Sequence, residues 1–331
     1  MNLQQLSIIR ETIRCRFNLT EVAASLATAQ SGISKHIRDL EHELGVELFI
    51  RKGKRLTGLT EPGRAIIPHI ENALLALDNI RSATDQLAQE QVGTLRIATT
   101  HTQARFILPT IIKQFRPSFP SVRLSLLQTS PSDICAMLRD NRIDIGIATE
   151  EIGTQEDIIA YPFYRWKHLV LAPAAHELGD HATLHDVARY PLITYLHGFT
   201  GRTIIDRTFS HAGLRPNVVM EAIDADVIKD YVRLGMGIGI VAEMAADHSD
   251  KNLRIVTVTP EFQEMTTFIA IRRDRFLRNF VFHFIAACRP DFAASEFRDA
   301  AQQLQNWQSK SSDVPTYQEL IKIQKQFSTI T

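Results

Sequence analysis

At 331 residues, 44% of them apolar and 22% charged, the chain exceeds the size of one hydrophobic core and carries too much apolar matter for long disorder. Its 37 Lys and Arg balance 37 Asp and Glu, which excludes a global pull toward nucleic acid or acidic membrane. The three cysteines, Cys15, Cys135 and Cys288, fit neither a disulfide framework nor metal-ligand spacing, the N-terminus lacks an apolar signal core, and no apolar run reaches about 18 residues, so a reduced, cytoplasmic protein with no membrane partner is expected.

In chain order, Leu3, Leu6, Ile9 and Ile13 recur at helical spacing and predict a first helix over 3–15. Thr20 offers an N-cap oxygen to a short second helix over about 20–27. A third helix from Ser31 to Leu44 buries Ile33, Ile37, Leu40 and Leu44, turns Ser34, Lys35 and Arg38 outward and stops at Gly45. Residues 47–60 place two short apolar stretches around Arg51-Lys-Gly-Lys-Arg55, the pattern of a small hairpin. From Thr60 a long helix is expected, with a heptad seam of Ile66, Ile70, Ala73, Leu77, Ile80, Thr84 and Leu87 that suits pairing with a second copy.

Beyond Gly93 short strands alternate with helices: 95–98, 122–127, 143–148, 169–172 and 192–194, then 218–222, 237–241 and 268–271. This predicts an α/β domain of largely parallel strands, with a second sheet and a return crossing. Residues 294–331 read as a polar tail, partly helical over 317–327 and poorly packed.

The first three helices and the hairpin carry the chemistry of a winged helix-turn-helix. Its second helix enters the major groove, and Gln30, Ser31, Ser34, Lys35 and Arg38 are donors and acceptors suited to base edges. Ala23 and Ala27 allow close helix approach over Val22, Ile33 and Ile37. Within 1–60, nine Lys and Arg face six Asp and Glu, and Arg51, Lys52, Lys54 and Arg55 concentrate the excess at the wing, against phosphates or the minor groove. The plainer alternative is an amphipathic bundle with a solvated basic loop.

The run from Leu19 to Arg51, continued by Arg55-Leu-Thr57 and Leu59-Thr-Glu-Pro-Gly63, resembles the DNA-binding signature of the LysR-type regulators. Thr99 to Arg105, Ile147 to Glu150, Thr194-Tyr195 with Gly198 to Arg202, and Asp224 to Gly235 resemble the CysB/Cbl branch, activators of cysteine biosynthesis and alternative sulfur-source genes. The resemblance spans about 1–290. It implies an α/β protein with an all-α/winged N-terminal domain: a winged helix-turn-helix at 1–60, a dimerisation helix at 61–91 and a two-lobed, periplasmic-binding-protein-like effector domain at 92–293. Lobe I takes about 92–163 and 268–293, lobe II about 164–267, and the tail 294–331 lies outside the match. Implied partners are double-stranded promoter DNA, a second to fourth copy of the chain, RNA polymerase, and sulfate, O-acetylserine or N-acetylserine as effector, with no cofactor.

The residues favour an oxyanion at 100–103, where a strand ends and a helix continuing to Phe115 begins, leaving free amides beside the hydroxyls of Thr100 and Thr102 and the amide of Gln103. Thr149 and Thr200 fall at comparable strand ends, where two-lobed α/β domains bind ligands. A fully ionised oxyanion needs donors only, so a threonine-rich site leans toward sulfate. Resemblance carries the sulfate role onto Thr100, Thr102, Gln103, Thr149 and Thr200, with Trp166 at the pocket rim. Glu150 would repel an anion unless turned away, and Arg202 either neutralises charge or supports its turn. His101 has no second metal ligand nearby, and Gly235-Met-Gly-Ile-Gly239 ends a helix rather than opening one, so it is no dinucleotide loop. A periplasmic solute-binding protein is opposed by the helix-turn-helix and the missing signal segment, and an enzyme by the absence of any G-x-S-x-G, H-E-x-x-H or placed Cys/His pair.

Overall fold

A computed structural model describes residues 1–53, 55–88, 91–149, 152, 157–290 and 314–328. Lys54, Glu150 and residues 291–313 and 329–331 lie outside the described residues. The chain divides into two compact units, 1–85 and 86–331.

In the first unit, α1 (Leu3–Arg14) opens with a reciprocal box in which Asn2 and Gln5 bond each other's backbone amides. Helix α2 (Leu19–Ser25) is capped by Asn18, not by the expected Thr20: the Asn18 side-chain Oδ1 accepts from the Thr20 amide at 3.1 Å, so the helix starts one residue earlier. Helix α3 (Gln30–Leu44) ends at Gly45 in the left-handed region, φ 69°. Ile33, Ile37 and Leu40 are buried, but Leu44 is exposed and Glu41 takes its place against the core. Ala27 is also exposed, because it leaves α2 at φ 48°, so Ala23 alone serves the close approach.

Strands β1 (Phe49–Lys52) and β2 (Arg55–Leu59) form the antiparallel wing. Helix α4 (Glu61–Ala88) follows, its start fixed by the Thr60 hydroxyl, which accepts from the Gly63 amide at 3.0 Å. A Cβ on Gly63 would sit 2.1 Å from the Leu48 carbonyl oxygen, so only glycine lets the helix rest on the wing's first strand. Ile67, Ile70 and Leu74 join the core of this unit. Ile70 is therefore spent on that core rather than on a helix-pairing seam, while Ile80 and Leu87 remain 63% and 90% exposed.

The second unit holds two mixed sheets, not the largely parallel arrangement expected. Lobe I orders its strands β4 (Val122–Gln128), β3 (Gly93–Thr99), β5 (Ile145–Ala148), β13 (Met265–Arg272) and β6 (Ile158–Trp166). Strand β13 runs antiparallel to both neighbours because the chain returns from lobe II. Lobe II orders β10 (Val218–Ala222), β9 (Leu192–Tyr195), β11 (Ile238–Ala242), β7 (His168–Pro173), β12 (Leu253–Thr259) and β8 (His181–Thr183). Strand β7 is antiparallel to β11 and β12. The crossings fall at Lys167 and between Thr259 and Met265, three residues later and three earlier than the expected lobe limits.

Around lobe I pack α5 (His101–Phe106), α6 (Leu108–Phe115), α7 (Pro131–Arg139) and α11 (Asn279–Cys288); lobe II carries α8 (Leu184–Val187), α9 (Arg202–His211) and α10 (Ala225–Arg233). The expected single helix to Phe115 is broken at Ile107, which leaves α5 only six residues long. Phe106 packs against the cores of both lobes, and beside it Arg105 Nε meets Asp226 Oδ2 across the cleft at 3.1 Å.

The tail expectation is corrected over 314–328. Helix α12 (Tyr317–Ser328) is packed on lobe I with Leu320 fully buried, and Val314 and Gln324 are buried beside it. The Arg165 amide donates to the Pro315 carbonyl at 2.8 Å and Thr316 bridges Arg165, so this segment closes the otherwise open edge of β6. Replacing Leu320 by alanine should therefore cost about 2–5 kcal/mol in denaturant unfolding of the second unit, the range for a buried leucine; a loss below about 0.5 kcal/mol would show that the helix contributes no core.

Candidate functional site

On the first unit, Gln30, Ser31, Lys35 and Arg38 are exposed along one face of α3 and Ser34 is half-buried. Gln30, Ser31, Ser34, Arg38 and Arg51 line one groove with Glu41. Within it Arg51 has an acidic partner. Glu41, buried at the foot of α3, accepts from the amides of Leu48 (2.9 Å) and Phe49 (3.2 Å) and pairs with the Arg51 guanidinium. Glu41 thus ties the reading helix to the wing, a role the sequence hid behind an ordinary helix-face glutamate. Lys52 and Arg55 sit exposed at the wing tip, facing each other across the hairpin.

In the second unit Thr100 follows β3, Thr149 follows β5 and Thr200 follows β9, so three hydroxyls converge from strand carboxyl ends. Thr100, Gln103, Thr149, Trp166 and Thr200 line one small cavity with Pro131 and Gly201. Thr102 lies just behind, its hydroxyl 3.4 Å from that of Thr200. Thr100 is the N-cap of α5 by backbone, yet its hydroxyl makes no capping bond, and the first-turn amides of α5 start at the same place.

Trp166 is not at a rim: it is 1% exposed, at the end of β6 where the pairing with β13 turns it inward, and its indole N–H donates to the Thr267 hydroxyl at 3.0 Å. Thr267 is the residue missed by sequence reading. It was placed just outside the expected strand 268–271, but β13 begins at Met265 and buries it fully. Arg202, the first residue of α9, has its charge satisfied elsewhere: it bonds Asp206 at 2.8 Å, Glu221 and the Tyr195 carbonyl. It therefore supports the turn rather than facing the cavity.

That turn is strained. Thr200 has φ 43° and Gly201 φ 71°, and a Cβ on Gly201 would meet Met265 Sδ at 2.5 Å. A β-branched residue rarely adopts positive φ, so the conformation needs outside support. The Thr200 carbonyl receives it by accepting from His168 Nε2–H at 2.9 Å. Burial pushes the His168 imidazole down to about 4, so it is neutral and keeps its proton on Nε2.

The family comparisons agree with this layout. Residues 3–64 match the bacterial regulatory helix-turn-helix protein, lysR family, and 88–293 the LysR substrate binding domain. The chain belongs to the LysR family. It is a DNA-binding transcription regulator with an effector-binding domain, not an enzyme. Its branch is that of CysB and Cbl. It is 48% identical to the HTH-type transcriptional regulator SsuR of Burkholderia cenocepacia over 89% of this chain and 97% of that protein. It is 43% identical to CysB of the same organism, over 88% and 94%. The crystal structure of the cofactor-binding domain of the Cbl transcriptional regulator superposes with a TM-score of 0.60 at 40% identity, covering 64% of this chain and 94% of that one. No described helix of the LysR-family chain is long and apolar enough to cross a membrane.

His168 makes the effector unit acid-sensitive. Below about pH 6.5 the unfolded chain takes up a proton that the folded site refuses until about pH 4, so acidification across that window removes about 3 kcal/mol of stability. Unfolding free energies measured at pH 7, 5.5 and 4 should lose part of this slope in His168→Leu; an unchanged slope would show that the histidine titrates normally.

Proposed function

We propose that this LysR-family regulator controls genes of cysteine biosynthesis and sulfur assimilation, mainly as an activator, and that it responds to acetylserine or a sulfate-type anion held between the two lobes. The observation that carries the reading is the uncharged cavity of Thr100, Gln103, Thr149 and Thr200, which offers hydroxyl and amide donors without a cation. A permanently ionised oxyanion is the ligand such a site suits, because it asks for donors alone. Trp166 forms an apolar wall against which the acetyl group of an acetylserine can rest.

On the DNA side, exposed Gln30, Ser31, Lys35 and Arg38 of α3 read the major groove of a promoter, with Ser34 at the groove floor and Lys52, Lys54 and Arg55 of the wing on the backbone. The exposed Ile80, Thr84 and Leu87 of α4 suit pairing with a second copy, and a dimer to tetramer is the assembly proposed. An effector that prefers one degree of lobe closure shifts the assembly toward it, changing the spacing of its DNA-binding pairs and the bend of the promoter. RNA polymerase is the proposed further partner, and the cytoplasm the proposed location. A second reading, a regulator specialised for sulfonate or other alternative sulfur-source genes, is kept because identity to SsuR, 48%, exceeds that to CysB, 43%.

Two variants test the halves separately. At fixed salt, Arg38→Ala should weaken promoter binding by about 1–3 kcal/mol in gel shift, and unchanged affinity removes Arg38 from the reading surface. Thr100→Val should lose sulfate or acetylserine binding in calorimetry with ligand-free DNA affinity intact; normal ligand titration refutes the pocket.

A further inference from the structure

Three polar side chains, Trp166, Gln103 and Thr149, meet at the Thr267 hydroxyl behind the cavity. Trp166 Nε1–H, a donor only, bonds Thr267 Oγ1 at 3.0 Å, and Gln103 Nε2–H approaches the same oxygen at 3.5 Å. The Gln103 amide is held in that orientation because the Tyr164 hydroxyl donates to its Oε1 at 2.6 Å, and burial pushes the Tyr164 phenol far up, keeping it protonated. The Thr267 and Thr149 hydroxyls lie 3.1 Å apart and either can donate to the other; with Trp166 and Gln103 both presenting N–H groups to Thr267, the Thr267 proton is the one available for this bond. Thr149 then accepts on one side and has its own proton left for the cavity, beside Thr100 and Thr200.

We propose that Thr267 is a positioning residue of the effector site: by donating to Thr149 it holds that hydroxyl in place and leaves the Thr149 proton free for the ligand. The proposal rests on the effector-site reading above. Valine at 267 keeps the shape and removes the donor, so the half-buried Thr149 hydroxyl is no longer held. Serine keeps the hydroxyl.

The test uses the full chain in a Trp307→Phe background, which leaves Trp166 as its single tryptophan. Sulfate is titrated near pH 7 by calorimetry, and Trp166 emission is recorded without ligand. Thr267→Val should weaken sulfate binding about tenfold, as for loss of one well-placed hydrogen bond supporting an anion site. Its Trp166 emission should shift because the indole N–H loses its acceptor, and Thr267→Ser should restore affinity and emission together. Sulfate affinity within about twofold of wild type in Thr267→Val, while Thr100→Val loses binding, overturns the role of Thr267 and leaves the site standing. Unimpaired binding by Thr100→Val, or no sulfate binding by the unsubstituted chain, overturns the site and this proposal with it. Should Thr267→Val fail to fold, Thr267→Cys, with a weak thiol donor, carries the same comparison.

Discussion

Burying hydroxyls and amides where two sheets meet is costly unless every donor and acceptor is assigned, and that constraint shapes the effector unit. Thr102, Gln103, Thr267 and Trp166 are each at most 1% exposed, and none carries charge. For Gln103, Thr267 and Trp166 the cost is met by one connected set of bonds running from Tyr164 through Gln103 to Thr267 and on to Trp166 and Thr149, while Thr102 meets Thr200. Such a network is rigid because a central member, Gln103 or Thr267, that turns away leaves at least two others unsatisfied. Rigidity is what a small-anion site requires, since donors fixed before binding need no reorganisation when the ligand arrives.

The lobe II side of the cavity is built on different terms. Thr200 reaches the cleft only through a left-handed turn, and that turn is kept by the neutral His168 beneath its carbonyl and by the absence of a side chain at Gly201. Arg202 secures the far end by bonding Asp206, Glu221 and the Tyr195 carbonyl. Phe106 touches both lobe cores and Arg105 meets Asp226 across the cleft, so lobe separation disturbs apolar packing and an ion pair together. The ion pair is exposed and weak in water, so the packing at Phe106 is the larger of the two restraints.

Much of the DNA-binding unit was legible because its signals are local. The spacing of Ile33, Ile37 and Leu40, the stop at Gly45 and the basic wing need only neighbours a few residues apart to declare themselves. What escaped depended on distant partners. Glu41 looks like a solvated helix residue until Leu48, Phe49 and Arg51 fold back onto it. Strand β6 was missed because it is buried along nearly its whole length and shows no alternation, and Thr267 was missed because the strand carrying it starts three residues before its apolar run. Asn18 and Thr20 are both competent caps, and only the backbone path decides between them. The packed segment 314–328 was read as loose because its few apolar residues, chiefly Leu320, are too sparse to signal a core without the open edge of β6 to receive them.

The central claim is that an unprotonated anion sits among Thr100, Thr149 and Thr200. Anomalous diffraction from crystals grown with selenate, a sulfate isostere, tests it directly. The account predicts one strong selenium peak roughly 3.5–4 Å from these hydroxyls, with its oxygens within hydrogen-bonding reach of them. A selenium peak elsewhere on the effector unit, with this cavity empty while selenate binds in solution, would contradict it.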